Sequence, residues 1–242
     1  MNEAATKITD EVIQNVLQRA RPTDSFALLT AGENPTRVRF GQDSSAILKA
    51  YKNPTATLHE HLPMLDAIAE AGTWFDPPAS GDAILVFAGQ DKFPDSRIRL
   101  QTVYDSFLLR RIRVFALLFN YLVGGSYDSF FLGNSPITEH SAEQEDLGAL
   151  SWGTGGYIVV ENTRDELHRY KLDDPKLQGM RQSGWVMYGA IAEYYHMQVE
   201  EPADEKKSRP WKLGVSREVL SKYPNAEVLF PKSLLPCKSS PQ

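Results

Sequence analysis

The most regular pattern of apolar and polar residues lies between residues 75 and 120. An apolar run from Ala83 to Ala88 stands between Gly81 and Gly89, which is typical of a buried β-strand. Charged and apolar residues then alternate from Arg97 to Val103, as they do in a half-exposed strand. This part of the chain therefore predicts two consecutive strands separated by a polar turn.

A helix is predicted directly after the second strand. Four large apolar residues follow one another at spacings of four, three and four, which places them on one helix face. They are Leu108, Ile112, Phe115 and Phe119. The central pattern thus reads strand, turn, strand, helix.

The N-terminal region predicts a helix and a hairpin. Thr9 or Asp10 can cap a helix that ends near Ala20. Residues 26–30 and 37–40 read as two strands joined by a turn. Residues 46–51 fit either a strand or a helix, and residues 58–71 predict a helix that Gly72 closes.

The C-terminal half carries weaker signals. Gly153 to Gly156 precede an apolar run at 157–160, which predicts a turn that enters a strand. A helix is predicted through residues 185–195, and a last short helix within 211–223. The predicted fold class is α+β, a small sheet packed with helices. The predicted parts are an N-terminal helix-hairpin extension (1–72), a core (73–200), and a charged linker with a short helix and tail (201–242).

Composition narrows the class of protein. A net charge of −5 argues against a general nucleic-acid binder, which usually carries a basic field. The single cysteine, Cys237, rules out an intramolecular disulfide. The longest apolar run, Val114 to Val123, is too short to span a bilayer, so no membrane partner is predicted. The N-terminus lacks the apolar region of a secretory signal, which predicts a cytoplasmic or nuclear protein.

Catalytic and metal-binding motifs are weak. His59 and His61 lie two residues apart, so they share a face only if the segment is a strand, and no third ligand is evident. The glycines at 153–156 come before a strand and no Lys-Ser or Lys-Thr follows, unlike a phosphate-binding loop. No catalytic residue, cofactor or metal is predicted, and an enzyme is the less favoured class. An enzyme would use an aromatic pocket at Trp185, Tyr188 and Tyr195.

Five arginines offer a different hypothesis. They lie close together in the sequence and could line a groove for RNA or another polyanion. They are Arg97, Arg99, Arg110, Arg111 and Arg113. The alternative is that they form the solvated side of a strand and a helix whose other side is core.

The central region resembles the BTB/POZ domain, in its divergent fungal form. Residues 81–87 match the family's first strand, which opens with Gly-Asp. Val103-Tyr104-Asp105 stands where the family has Val-His-Ser, and Leu108 has the family's spacing. Val114-Phe115 and Phe119 match the end of the motif, and residues 191–197 resemble a later helix of the family.

This resemblance implies an interaction module without catalytic residues. BTB domains form homodimers or heterodimers, and many bridge a substrate to a cullin ubiquitin ligase. The leading hypothesis is therefore a module that self-associates and recruits another protein, with RNA binding and small-molecule catalysis as alternatives. Aromatic side chains often anchor interfaces, so the expected contact residues are Tyr104, Phe107 and Tyr121.

Overall fold

The computed structural model describes residues 3–54, 60–77, 79, 81–89, 93–120, 146–162, 186–194, 209–224 and 226–234. The helices are α1 (Glu3–Gln18), α2 (Ser44–Lys52), α3 (Met64–Thr73), α4 (Leu100–Arg110), α5 (Asp146–Gly153) and α6 (Arg217–Lys222). The strands are β1 (Leu28–Leu29), β2 (Gly32–Glu33), β3 (Arg37–Val38), β4 (His61–Leu62), β5 (Ala83–Ala88), β6 (Arg113–Asn120), β7 (Ile158–Asn162), β8 (Arg209–Pro210) and β9 (Ser233–Leu234). Residues 186–192 are also helical.

The centre of the fold is a three-stranded parallel sheet in the order β5-β6-β7. Leu85 is the register partner of Phe115, and Leu117 is the partner of Val159. Parallel neighbours need a crossover connection because each strand must return to the starting edge. α4 lies within the first crossover, and α5 lies within the second.

Both faces of this sheet are covered. Alternate residues of β6 point to opposite faces, and six of them are at most 2% exposed. Val114, Ala116 and Leu118 pack with residues of α3, α4 and α5. Phe115, Leu117 and Phe119 pack with Ala5, Ile8 and Val12 of α1 and with Met187. The sheet is therefore the middle of three layers.

The predicted order of the second strand and the helix is wrong. Residues 100–110, which include most of the predicted strand, form α4, and the predicted helix face at Phe115 and Phe119 belongs to β6. A parallel strand buried on both faces reads as a continuous apolar run, which periodicity alone does not distinguish from a buried helix. Arg111 ends α4 in the left-handed conformation, with φ of 58°, and its N–H donates to the carbonyls of Leu108 and Phe107.

The predicted N-terminal hairpin is present, because β1 pairs antiparallel with β3. α1 begins at Glu3, so Thr9 and Asp10 lie inside the helix and do not cap it. Residues 46–51 lie in α2. Gly72 lies inside α3, where an added Cβ would approach the Phe107 ring to 2.3 Å, so its role is close packing.

The turn at Gly153 to Gly156 enters β7 as predicted. Gly155 has φ of 85°, a conformation that favours glycine. A Cβ on Gly156 would lie 1.9 Å from the Val114 carbonyl oxygen, so this glycine lets the turn approach β6. The glycines thus serve backbone packing.

The predicted fold class, a mixture of small sheets and helices, is confirmed.

Candidate functional site

The carboxyl edge of the parallel sheet brings several helix starts together. α4 follows the carboxyl end of β5, and α5 follows that of β6 in the chain. The first turn of α3 reaches the same edge, as its contact with the loop after β5 shows. In open α/β sheets, ligands bind in the crevice outside the carboxyl ends of the strands. A binding site is therefore expected at this edge.

Two aspartates hold the loop between β5 and α4 at this edge. The Phe93 N–H donates to Asp146 Oδ2 at 3.3 Å, and Asp146 lies in the first turn of α5. The Arg97 N–H donates to Asp66 Oδ2 at 3.0 Å, and Asp66 lies in the first turn of α3. Residues 93–99, the clamped loop, are thus fixed from both sides.

The clamped loop presents an apolar residue between two positive charges. Ile98 is 36% exposed, and Arg97 and Arg99 on either side are also exposed. Arg99 is the N-cap of α4 and makes no side-chain capping bond, and the first turn of α4 holds no acid. The positive end of the helix dipole therefore adds to the charge of the two arginines. This arrangement can accept a carboxylate beside an apolar group.

The five arginines are divided between the two ends of α4. Arg97 and Arg99 precede the helix, whereas Arg110, Arg111 and Arg113 lie at or beyond its last residue. An 11-residue helix is about 16 Å long. The structure thus brings together only the first two as exposed charges on one loop.

Two of the remaining arginines bind main-chain carbonyls. Arg110 donates from Nη1 to Gly72 O at 2.7 Å and from Nη2 to Phe75 O. It thereby satisfies one carbonyl in the last turn of α3, where a helix leaves carbonyls without partners, and one just beyond the helix. Arg110 has a structural contact that the sequence hypothesis did not include.

Arg113 ties the start of β6 to the segment 186–194. Its guanidinium donates to Gly81 O at 3.2 Å, Ala190 O at 3.2 Å and Ile191 O at 2.9 Å. It also lies 5.1 Å from the Tyr194 ring centroid. Burial lowers the pKa of Arg113, because desolvation disfavours the charged form. These contacts assign Arg113 to packing at the opposite, amino edge of the sheet.

The expected interface aromatics lie elsewhere. Phe107 is 2% exposed and belongs to the core, so it is not available to a partner. Tyr104 is half-buried, and its ring would meet a Cβ on Gly153 at 2.3 Å. Tyr121 lies outside the described residues.

Of the expected aromatic pocket, only Tyr188 lies in the part of the chain that the structure describes; Trp185 and Tyr195 do not. The Tyr188 hydroxyl is 2.9 Å from Arg19 O and 3.1 Å from Asp24 Oδ2. Burial, together with the hydrogen bond to Asp24, raises the pKa of Tyr188. Tyr188 therefore joins two segments of the chain.

The histidine pair is only partly described. His59 lies outside the described ranges, and His61 Nδ1 is 3.0 Å from Glu33 Oε1. Among the described residues, no three side chains of His, Cys, Asp or Glu are grouped as a metal would need.

The sequence hypotheses missed Asp66 and Asp146. The available signal was position, since an acid in the first turn of a helix is favoured by the helix dipole. That signal does not show that both carboxylates converge on one loop, because they lie 31 and 53 residues from their partners in the sequence.

No family model and no curated protein matches this chain. Solved structures with a similar fold include an aerotolerance-related membrane protein from Bacteroides fragilis. It shares 11% identity over 77% of this chain and 87% of that chain, with a TM-score of 0.50. A von Willebrand factor type A structure from Catenulispora acidiphila shares 11% identity, with a TM-score of 0.51. That match covers 78% of this chain but only 39% of the other.

The fold is therefore similar to that of these two structures, one of them a von Willebrand factor type A structure, and the BTB/POZ resemblance is wrong. Its two central matches depended on a strand near Val103 and a helix near Phe115, and the structure has the reverse. The role of ubiquitin-ligase adaptor loses its basis with the resemblance.

The predicted cytoplasmic or nuclear location is not supported, because a solved structure of similar fold is described as that of a membrane protein. Within the described ranges, no helix combines the length and apolar character that crossing a bilayer requires.

Proposed function

We propose that the chain is a protein-binding domain and that its partner docks on the clamped loop, residues 93–99. The observation that carries this proposal is the combination of exposure and fixation at Arg97. Its side chain is exposed, whereas its main-chain N–H is held by Asp66 at 3.0 Å. Exposed residues on a fixed backbone are typical of binding loops on a rigid scaffold.

The fixed backbone of the clamped loop favours a higher affinity for the partner. A loop that is already ordered loses less conformational entropy when a partner binds. The hydrogen bonds from Phe93 to Asp146 and from Arg97 to Asp66 hold this loop to two different helices. The conformational entropy of this loop is therefore lost when the domain folds and not when the partner binds.

The side chains of the loop define the chemistry of the partner. Arginine is enriched among the residues that dominate protein interfaces, and a desolvated apolar centre usually accompanies it. Arg97 and Arg99 flank Ile98, so the complementary surface carries an apolar pocket with a carboxylate beside it. Acidic groups on the partner would also meet the N-terminus of α4.

The test is affinity measured with matched variants. A partner isolated with the tagged chain is titrated with wild type, with Ile98→Asp and with Arg97→Glu, by isothermal calorimetry. Each loop variant is expected to weaken binding at least tenfold, since it places a negative charge at the contact. Arg111→Glu changes an exposed arginine at the other end of α4 and is expected to bind as wild type does.

Two outcomes would overturn the proposal. One is equal binding by all four proteins, which would place the interface elsewhere. The other is a complex that disappears on ribonuclease treatment, which would make the ligand RNA.

A further inference from the structure

The segment 209–234, here called the C-terminal lobe, is attached firmly to the rest of the fold. β8 pairs with β9, and the Trp211 indole N–H donates to Pro231 O at 2.5 Å. The Lys232 N–H donates to Gly153 O at 3.1 Å, and Thr154 forms a β-bridge with Pro231. The lobe is therefore held against the glycine turn between α5 and β7.

α6 projects from this lobe with its apolar residues in solvent. None of its residues is buried. Val219 is 40% exposed, Leu220 is 38% exposed, and Tyr223, directly after the helix, is 66% exposed. Positions 219, 220 and 223 lie on one side of a helix. We call this side the α6 stripe.

The hydrogen bonds within α6 do not by themselves explain why a helix with exposed apolar residues is stable here. A six-residue helix gains little stability from its own hydrogen bonds, because most of the cost lies in forming the first turn. Most helices in proteins are stabilised by packing an apolar face. A covered α6 stripe would supply that packing.

The net charge of the C-terminal lobe indicates what kind of surface covers the α6 stripe. The C-terminal lobe holds five of the 26 Lys and Arg residues and two of the 31 Asp and Glu residues, a net charge of +3. The rest of the chain holds the other 21 basic and 29 acidic residues, a net charge of −8. The lobe is thus opposite in charge to the remainder of the same molecule. Exposed Lys212, Arg217 and Lys222 lie on and around α6, where the one acid is Glu218, 3.8 Å from Lys222.

We propose that the α6 stripe docks on the acidic remainder of a second copy of this chain. Its apolar residues form the centre of the contact, and the surrounding lysines and arginine steer the two copies together. An anionic lipid surface is the less favoured occupant, because a remainder of net charge −8 is repelled by it. The α6 stripe is separate from the clamped loop, so this proposal does not depend on the proposed function.

The test is the mass of the purified chain in solution. Sedimentation equilibrium at low salt is expected to show a concentration-dependent rise from the monomer mass of 27.2 kDa to about twice that value. Leu220→Asp together with Tyr223→Ser is expected to leave only monomer. Lys222→Glu is expected to weaken association, and added salt is expected to weaken it as well. Because α6 has no buried residue, these variants should keep the Tm that wild type has at concentrations where it is a monomer.

Leu109→Asp is the matched control, since Leu109 is 55% exposed but lies on α4. It should associate as wild type does. A monomer at every concentration would overturn the proposal, as would a dimer that Leu220→Asp with Tyr223→Ser leaves intact. Co-sedimentation of a monomeric chain with phosphatidylserine vesicles, lost in the same double variant, would instead assign the α6 stripe to lipid.

Discussion

Among the described glycines, Gly156 is the one at which an added Cβ would come nearest to another part of the chain. A Cβ on Gly156 would lie only 1.9 Å from the Val114 carbonyl oxygen. The observed approach is therefore possible only for a residue without a side chain. The neighbouring atoms are backbone atoms of the central strand β6, so they cannot move aside as a flexible side chain would. The sequence predicted the turn at this position but not the close approach that requires its glycine.

Gly156→Ala is therefore expected to destabilise the fold by about 3 kcal/mol or more, the range of severe packing and backbone clashes. Urea denaturation followed by circular dichroism measures the change. Gly189→Ala is the control, because a Cβ at Gly189 meets nothing within 4 Å. Similar midpoints for the two variants would show that the turn does not pack against β6 as described.

Asp24 links the N-terminal region to the segment 186–194. Burial of its carboxyl would by itself raise its pKa, but hydrogen bonds from Arg21 and Tyr188 outweigh burial and hold the pKa below its ordinary value. A lowered carboxylate pKa stabilises the folded state above the pKa of the unfolded chain. That stability is lost as the pH falls from the ordinary aspartate pKa of about 3.9 through the lowered value.

Asp24→Asn should therefore lower stability at neutral pH and reduce its decline under acid. Tm measured between neutral pH and about pH 3 gives both quantities, since this range spans the ordinary pKa of aspartate. An acid decline as steep as that of wild type would mean that Asp24 does not contribute to it.

Among the elements, β6 shows why the pattern of apolar residues misled the sequence analysis. The residues from Val114 to Phe119 are buried on both faces of the sheet, so the run has neither the period of a half-exposed strand nor that of a helix. Two of its residues, Phe115 and Phe119, extend an apolar spacing that begins in α4. β5, in contrast, is bounded by Gly81 and Gly89, and its predicted limits are correct.

The central position of β6 predicts a large effect of truncation. Phe119→Ala removes a ring that is fully buried and is expected to cost about 3–5 kcal/mol of unfolding free energy. Leu109→Ala, on the exposed side of α4, is expected to stay within about 0.5 kcal/mol of wild type. Chemical denaturation compares the two. A small loss for Phe119→Ala would contradict the central place of β6.

The clamped loop could not be predicted from the sequence, for a different reason. The sequence hypothesis includes its exposed arginines, but it groups them with arginines at or beyond the last residue of α4. The loop is defined by Asp66 and Asp146, which reach it from two other helices. Such long-range contacts depend on how α3 and α5 pack around the sheet. Local sequence patterns do not predict this packing.

At the scale of the whole molecule, three layers place the starts of α3, α4 and α5 at one edge of the sheet. The class of small sheets and helices could be predicted from the sequence, whereas the parallel topology could not, because it depends on identifying β6 as a strand. Once that topology is known, the clamped loop lies where α/β folds usually bind ligands. The proposed function is thus a property of the assembled fold.

The most direct test of this account is photo-crosslinking from position 98. A photoreactive amino acid replaces Ile98 in one version of the chain and Arg111 in another, and each is irradiated in an extract of its native cell. The account predicts one defined protein adduct from position 98 and none from position 111. Adducts only from position 111, or an adduct to RNA from position 98, would contradict it.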